Sequence, residues 1–91
     1  MSDSTTVRIN PQFRLQWEPA QNCHVLLFPE GMVQLNTPAA EILKRCQSPI
    51  SMKALLGELK ASFPDAPTLE NDVRDFVGTA KQNGWLNVDE L

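Results

Sequence analysis

The chain has 91 residues, about the length of one small domain, and 42% of them are apolar, as in globular rather than disordered proteins. Eight Lys and Arg residues against eleven Asp and Glu residues give a net charge of −3, so a basic surface for nucleic acid is not expected. The longest apolar run, Val25–Phe28, is far shorter than the roughly 20 residues that span a bilayer, so no membrane partner is expected. No export signal is visible at the start, which predicts a cytoplasmic protein.

The two ends of the chain differ from its middle. Residues 1–10 are polar and show no periodicity, which predicts a flexible N-terminal tail. Residues 89–91 are predicted to fray at the other end. The patterned part between them, residues 11–88, is of a length that forms a single domain.

Three short segments with the period of a β-strand come first. The opening segment alternates apolar and polar side chains, the second is apolar on both faces, and the third returns after the turn Pro29–Gly31. We expect the second strand to be central and the outer two to be edges. The inward positions are Phe13, Leu15 and Trp17 in the first strand, Val25–Phe28 in the second, and Val33 and Leu35 in the third.

The apolar period then changes to that of an α-helix. Three amphipathic helices are predicted, with Thr37, Ser51 and Thr68 as their capping residues. Gly84 suits the position just after the last helix, where a left-handed backbone is common. The apolar stripes are Ala39, Ile42, Leu43 and Cys46; Met52, Leu55, Leu56, Leu59 and Phe63; and Leu69, Val73, Phe76, Val77 and Ala80.

Three strands followed by three helices predict an α+β fold, a three-stranded antiparallel sheet with the helices packed on one face. This arrangement is winged helix-turn-helix-like, so winged-helix DNA binding is one functional alternative. It is disfavoured because neither of the two later helices has a basic face.

Few residues offer chemistry. Cys23 and His24 are adjacent on a predicted strand, so their side chains point to opposite faces and cannot act as a nucleophile and its base. Together with Cys46 they supply three metal ligands, one fewer than a structural zinc site usually takes. The glycines are too widely separated for a phosphate-binding loop. We therefore expect no enzyme activity, no catalytic residue, no metal and no cofactor.

The third predicted strand leaves an edge of the sheet uncovered. Residues 32–35 contain no Lys or Pro, the residues that often block an edge. Such an edge can accept an extended peptide as an additional strand, and Val33→Pro is predicted to remove an edge donor. Alternatively, the edge pairs with its symmetry mate in a homodimer, as in a simple dimeric scaffold, or is covered by the N-terminal tail.

Two contiguous runs, FRLQWEPAQ over residues 13–21 and HVLLFPEGMVQLN over residues 24–36, resemble coenzyme PQQ synthesis protein D (PqqD). The resemblance extends over about residues 11–86. Phe28 is a departure, because many members have tyrosine there, and its phenyl ring lacks the hydroxyl group. Shorter matches follow at Ala40, Ile42–Leu43, Asp72–Val73, Phe76 and Gly84–Trp85.

The resemblance implies a non-catalytic peptide chaperone of pyrroloquinoline quinone (PQQ) biosynthesis. Such proteins bind the ribosomal precursor peptide, whose Glu and Tyr form the cofactor, and deliver it to a radical S-adenosylmethionine (SAM) enzyme with iron–sulfur clusters. Similar recognition domains add the peptide along the third strand and beside the third helix. The implied peptide-binding residues are Met32, Val33, Gln34, Leu35, Arg74, Val77, Thr79 and Lys81. The exposed residues expected to contact the enzyme are Arg14, Gln16 and Glu18.

Overall fold

The computed structural model describes residues 2–90, so the predictions for Met1 and Leu91 lie outside the described part of the chain. Within residues 2–90, six strands and three helices form an α+β fold. The sequence predicts this class and the three helices, but only three of the strands. In chain order the elements are β1 (Thr6–Ile9), β2 (Arg14–Glu18), β3 (Cys23–Phe28), β4 (Gly31–Gln34), α1 (Thr37–Lys44), β5 (Ile50–Ser51), α2 (Met52–Ser62), α3 (Leu69–Gln82) and β6 (Leu86–Asp89).

Strands β2, β3 and β4 form the predicted antiparallel sheet, here called the meander sheet, with β3 in the centre. Leu15, Leu26 and Val33 lie opposite one another across the three strands and therefore share one face. Leu26 is fully buried in the core, and the other two pack against it. This face of the meander sheet therefore carries the helices.

A second sheet, with the order β5-β1-β6, brings together the first and last strands of the described residues. Its central strand is Thr6–Ile9, so the prediction of a flexible tail over residues 1–10 is wrong for this stretch. Val7 and Ile9 are buried, and their contacts with the core hold the strand in place. At the other end Asp89 pairs with Thr6, so the predicted fraying does not apply to Asp89.

The helix caps agree only in part with the prediction. Asn36, rather than Thr37, caps α1, because its side-chain oxygen accepts a hydrogen bond from the N–H of Ala39 at 2.9 Å. Ser51 caps α2 as predicted, accepting from Ala54 at 3.1 Å. Thr68 precedes α3 without a side-chain capping bond; its hydroxyl donates instead to Asp72.

The core lies between the three helices and the two sheets, and most of the predicted inward residues belong to it. Two large side chains differ from the prediction. Phe63, at the end of α2, is 39% exposed, and Trp17 on the outermost strand β2 is 48% exposed. The Trp17 ring packs edge-on against His24, with the ring centroids 5.1 Å apart. Gly84 has a φ of +80°, the left-handed conformation expected after α3.

Candidate functional site

The open edge of β4 is the first part of the candidate site. Strand β4 pairs with β3 on one side, and no strand of residues 2–90 pairs with it on the other. Its residues, Gly31–Gln34, include no charged residue and no proline, the features that usually prevent a further strand from pairing. The edge can therefore accept backbone hydrogen bonds from an extended chain.

The hydrogen-bond pattern determines which backbone groups of β4 face outwards. The N–H of Leu35 donates to the carbonyl oxygen of His24 at 2.9 Å, which makes these residues a hydrogen-bonded pair. Along an antiparallel ladder such pairs alternate with pairs that share no backbone bonds. By the register, Val33 is therefore bonded to β3, whereas the N–H and C=O groups of Met32 and Gln34 point to the open edge.

This alternation corrects the predicted edge. The sequence alone predicts unpaired backbone groups along the whole third strand, but Val33 and Leu35 use theirs to hold β3. Their side chains also point inwards, and Leu35 is buried. Met32 is 45% exposed, and the exposed Gln34 amide donates a hydrogen bond to the Gln21 side chain.

A cavity of about 330 Å³ opens where the chain passes from β4 into α1. It lies between the start of α1, the end of α2 and the first half of α3, and its lining is mainly apolar. We call it the helix pocket. Its largest apolar lining residues are Ile42, Leu59, Phe63, Leu69, Val73 and Phe76.

Two carboxylates, Glu41 and Asp72, also line the helix pocket, but their environments differ. Glu41 accepts hydrogen bonds from Lys44 at 2.9 Å and from Arg45 at 3.0 Å. These bonds, with that from Lys44 the larger, hold the pKa of Glu41 below its ordinary value. The Glu41 charge is thus compensated within the protein.

Asp72 has no such compensation. Its Oδ2 atom accepts a hydrogen bond of 2.9 Å from the Thr68 hydroxyl, which is uncharged. Over the described residues 2–90, no Lys or Arg forms a salt bridge with Asp72. Asp72 is thus a pocket carboxylate at an exposed position in the first turn of α3, without a basic side chain of residues 2–90 bonded to it.

The two cysteines and the histidine do not line the helix pocket. Cys23 and His24 lie on alternate faces of β3, and both cysteines are unbonded thiols. Burial, and to a smaller extent the Glu58 charge, raises the pKa of Cys46 to about 12. Among residues 2–90, no three His, Cys, Asp or Glu side chains are grouped so as to hold a metal ion. None of the described helices is long and apolar enough to cross a membrane.

Comparison with known proteins identifies the family. Residues 23–86 match the family "Coenzyme PQQ synthesis protein D (PqqD)". The chain belongs to the PqqD family. The sequence resemblance is thus confirmed over more than two thirds of the chain, including β3, β4 and all three helices.

Relatives of this PqqD-family chain are named for what they bind. A "PqqA binding protein" of Azotobacter vinelandii is 46% identical, with 92% of this chain and 96% of the relative covered. One from Stutzerimonas stutzeri is 42% identical, with coverage of 84% and 83%. A similar solved structure has a TM-score of 0.75 and 25% identity, covering 94% of this chain and 93% of its own. It is the PqqD part of Methylobacterium extorquens PqqCD, described as a functional, stand-alone recognition element for ribosomally synthesised and modified peptides.

The structure separates the four α3 residues that the resemblance implied. Two residues of helix turn by about 200°, so Arg74 lies across the helix from Asp72, while Thr79, seven residues on, returns to the Asp72 side. Lys81, seven residues beyond Arg74, shares its side. Val77 is fully buried in the core and cannot contact a peptide through its side chain. Of the four, only Thr79 lies on the pocket side of α3.

Arg74 is engaged with the N-terminal segment and with its own helix. Its guanidinium lies 3.3 Å from Asp3 and 3.2 Å from Glu70. The Glu70 pKa is lowered by hydrogen bonds from Lys60 and then from Arg74. These contacts favour a structural role for Arg74 rather than one in peptide steering.

The three residues expected to contact the enzyme lie together. Arg14, Gln16 and Glu18 alternate with Leu15 along β2, so they share the face of the meander sheet turned away from the core. They are therefore separate from the open edge of β4.

Sequence reasoning missed most of the helix pocket. The helical period places Leu69 and Phe76 in a core stripe and predicts that Phe63 is inside. The sequence feature that could have indicated the pocket is the pair Pro64 and Pro67 after α2. Proline cannot continue a helix, so the chain turns away there and leaves the last turn of α2 uncovered. The opening that results exposes Phe63.

Proposed function

We propose that this chain is a non-catalytic carrier that binds the ribosomal precursor peptide PqqA as an additional strand on β4. It then presents the peptide to the radical SAM enzyme of PQQ biosynthesis. The names of the PqqA-binding relatives and of the peptide recognition element in the similar structure support this role. The step needs no cofactor on this chain, and we place it in the cytoplasm, where ribosomal peptides are made.

One observation carries the proposal: an uncharged edge strand presents the backbone groups of Met32 and Gln34 beside an apolar pocket. Backbone hydrogen bonds to an added strand supply affinity with little demand on sequence, and pockets for side chains supply selectivity. Ordering a flexible peptide offsets part of this gain, so we expect a dissociation constant near micromolar, about −8 kcal/mol. Such binding still permits release of the peptide.

Presentation needs a second surface that stays accessible while β4 is occupied. Arg14, Gln16 and Glu18 on β2 meet this requirement, because β2 and β4 are opposite edges of the meander sheet. We propose that they contact the radical SAM enzyme. The Glu and Tyr of the peptide, which that enzyme joins, then lie outside the segment held on β4.

Two alternatives are less well supported. DNA binding would use α3, but there Arg74 is paired with acidic side chains and Glu70, Asp72 and Asp75 lie on the same helix. A homodimer through β4 would occupy the edge that the peptide needs. Homodimer formation would therefore compete with peptide binding, and the following titration distinguishes the two.

The test is an NMR titration of ¹⁵N-labelled protein with the PqqA peptide, followed by hydrogen exchange. We expect the amides of Met32 and Gln34 to exchange rapidly without peptide and to become protected when it binds, because they gain a partner strand. The amides of Leu15 and Trp17, which the register with β3 turns to the outer edge of β2, serve as the internal control and should stay unprotected. Addition of the radical SAM enzyme should then shift Arg14, Gln16 and Glu18.

Two results would contradict the proposal. The first is protection of Met32 and Gln34 in the absence of peptide at low protein concentration, which would mean that the protein itself occupies the edge. The second is tight peptide binding that leaves both amides unprotected, which would place the peptide elsewhere.

A further inference from the structure

The helix pocket continues the open edge of β4. Asn36, Thr37 and Pro38 line the pocket, and Asn36 follows Gln34 by only two residues. Two extended residues span at most about 7 Å. A peptide paired with Gln34 therefore places its next side chains at the mouth of the pocket.

The size and lining of the pocket select the kind of side chain that enters. Its volume of about 330 Å³ lies at the lower end of the range for small-molecule pockets, about 300–1,000 Å³. The buried residues Ile42, Leu59 and Val73 lie beneath it, and the partly exposed rings of Phe63 and Phe76 stand at its sides. This space suits one large apolar side chain, aromatic or long aliphatic, rather than a folded partner.

The charge at the pocket determines which peptide residue can lie next to that side chain. Glu41 is neutralised by Lys44 and Arg45, whereas within residues 2–90 the side chain of Asp72 is bonded only to the uncharged Thr68 hydroxyl. A cation brought to Asp72 gains a charge-assisted hydrogen bond without displacing an existing ion pair. A second carboxylate there would be repelled.

We propose that the helix pocket binds a large apolar side chain of the precursor peptide that has a Lys or Arg next to it in the sequence, with the cation held by Asp72. This inference rests on the proposed function, because it names the part of the peptide that sets the specificity of the β4 site. The strand contact supplies affinity for any extended chain, and the pocket identifies the correct one.

The first test combines an alanine scan of the PqqA peptide with isothermal titration calorimetry. We expect one large apolar residue and an adjacent basic residue to matter most. Asp72→Asn should weaken binding of the unmodified peptide about two- to fivefold, the range of an exposed ion pair, and should reduce its salt dependence. It should have no further effect on a peptide whose basic residue is already alanine.

Asp75→Asn is the matched control, because it removes the same charge from the same helix at an exposed residue that does not line the pocket. It should change binding less than the pocket variant does. Equal losses for Asp72→Asn and Asp75→Asn would mean a general electrostatic effect and would overturn the assignment of the cation to Asp72.

The second test fills the pocket. Ala66 is an exposed lining residue outside the helices, so Ala66→Trp places a ring in the opening without altering the core. We expect about tenfold weaker binding or more, because the peptide loses the burial of a large apolar side chain. Alanine at the anchoring residue of the peptide should then cost little more.

Failure of this inference and failure of the proposed function look different. Unchanged peptide affinity in a folded Ala66→Trp protein, with Met32 and Gln34 still protected by the peptide, would overturn the pocket alone. If the peptide does not protect the amides of Met32 and Gln34 in the wild-type protein, the strand site itself is overturned.

Discussion

The two outer strands of the meander sheet expose their backbones in the same way but differ in their surroundings. Because the backbone of His24 is bonded to β4, its neighbours Cys23 and Val25 are bonded to β2. Leu15 and Trp17 lie opposite residues of β3 that are bonded to β4, so their own backbone groups point outwards. They correspond to Met32 and Gln34 on β4. Both edges thus offer two residues with unpaired backbone groups.

Only one of these edges is suited to a guest strand. On β2 the outward residues lie between Arg14 and Glu18, and a neighbouring strand would have to desolvate these charges. On β4 there is no charge, and the strand leads to the helix pocket. Open backbone groups are therefore necessary for strand addition, but the neighbouring side chains determine where it occurs.

The largest effect is expected for a change that breaks β4 itself. Val33→Pro removes an N–H that donates to β3 and leaves a carbonyl of Leu26 without its partner. We expect a loss of about 1–3 kcal/mol in the free energy of unfolding, measured by urea denaturation. A normal urea midpoint would show that the inward and outward residues of β4 have been assigned the wrong way round.

A smaller effect, on peptide binding and not on stability, is expected for a change at the next residue, Gln34. Gln34→Pro removes an N–H that faces the open edge, a position where proline is tolerated in sheets. Stability should be nearly unchanged, while calorimetry should find the PqqA peptide bound about tenfold more weakly, since one hydrogen bond is lost and the ring hinders approach.

Gln34→Ala is the control for that change, because it removes the side chain and its contact with Gln21 but keeps the backbone N–H. It should bind the peptide within about threefold of wild type. If alanine weakens binding as much as proline does, the Gln34 side chain rather than the backbone carries the interaction.

The smallest effect is expected at the start of the central strand β3, which the proposed peptide does not contact. Cys23 pairs with Glu18 of β2 and is partly exposed, whereas Cys46 is buried with its pKa raised to about 12. A maleimide at pH 8 should therefore label Cys23 alone, because little of the Cys46 thiol is ionised. The label should alter PqqA affinity by less than about twofold. A large loss would mean that the peptide also contacts the start of β3.

The sequence predicts the meander sheet and the helices well because their signals are local. Alternation over Phe13–Trp17, the turn after Phe28 and the Ser51 cap each involve residues close together in the chain. The second sheet gives no such signal. Thr6 pairs with Asp89, and no periodicity within a stretch as short as Thr6–Ile9 reveals a partner at the far end of the chain.

The candidate site shows the same division. The missing charges of β4 are visible in the sequence, and they point to this edge. The alternation of bonded and open backbone groups is not, since it depends on how Leu35 meets His24. Likewise, the apolar stripe of the third helix already marks Val77 as inward, as the structure has it, but the side of α3 that Thr79 shares with the helix pocket depends on how the helices pack.

The pairing of β1 with β6 also has a practical consequence. Because Thr6 lies beside Asp89, the first and last described strands begin and end at neighbouring points on the surface. Joining them through a short linker would produce a circular permutant that retains every strand pairing, and new termini in an exposed loop would give an entry point for fused reporters.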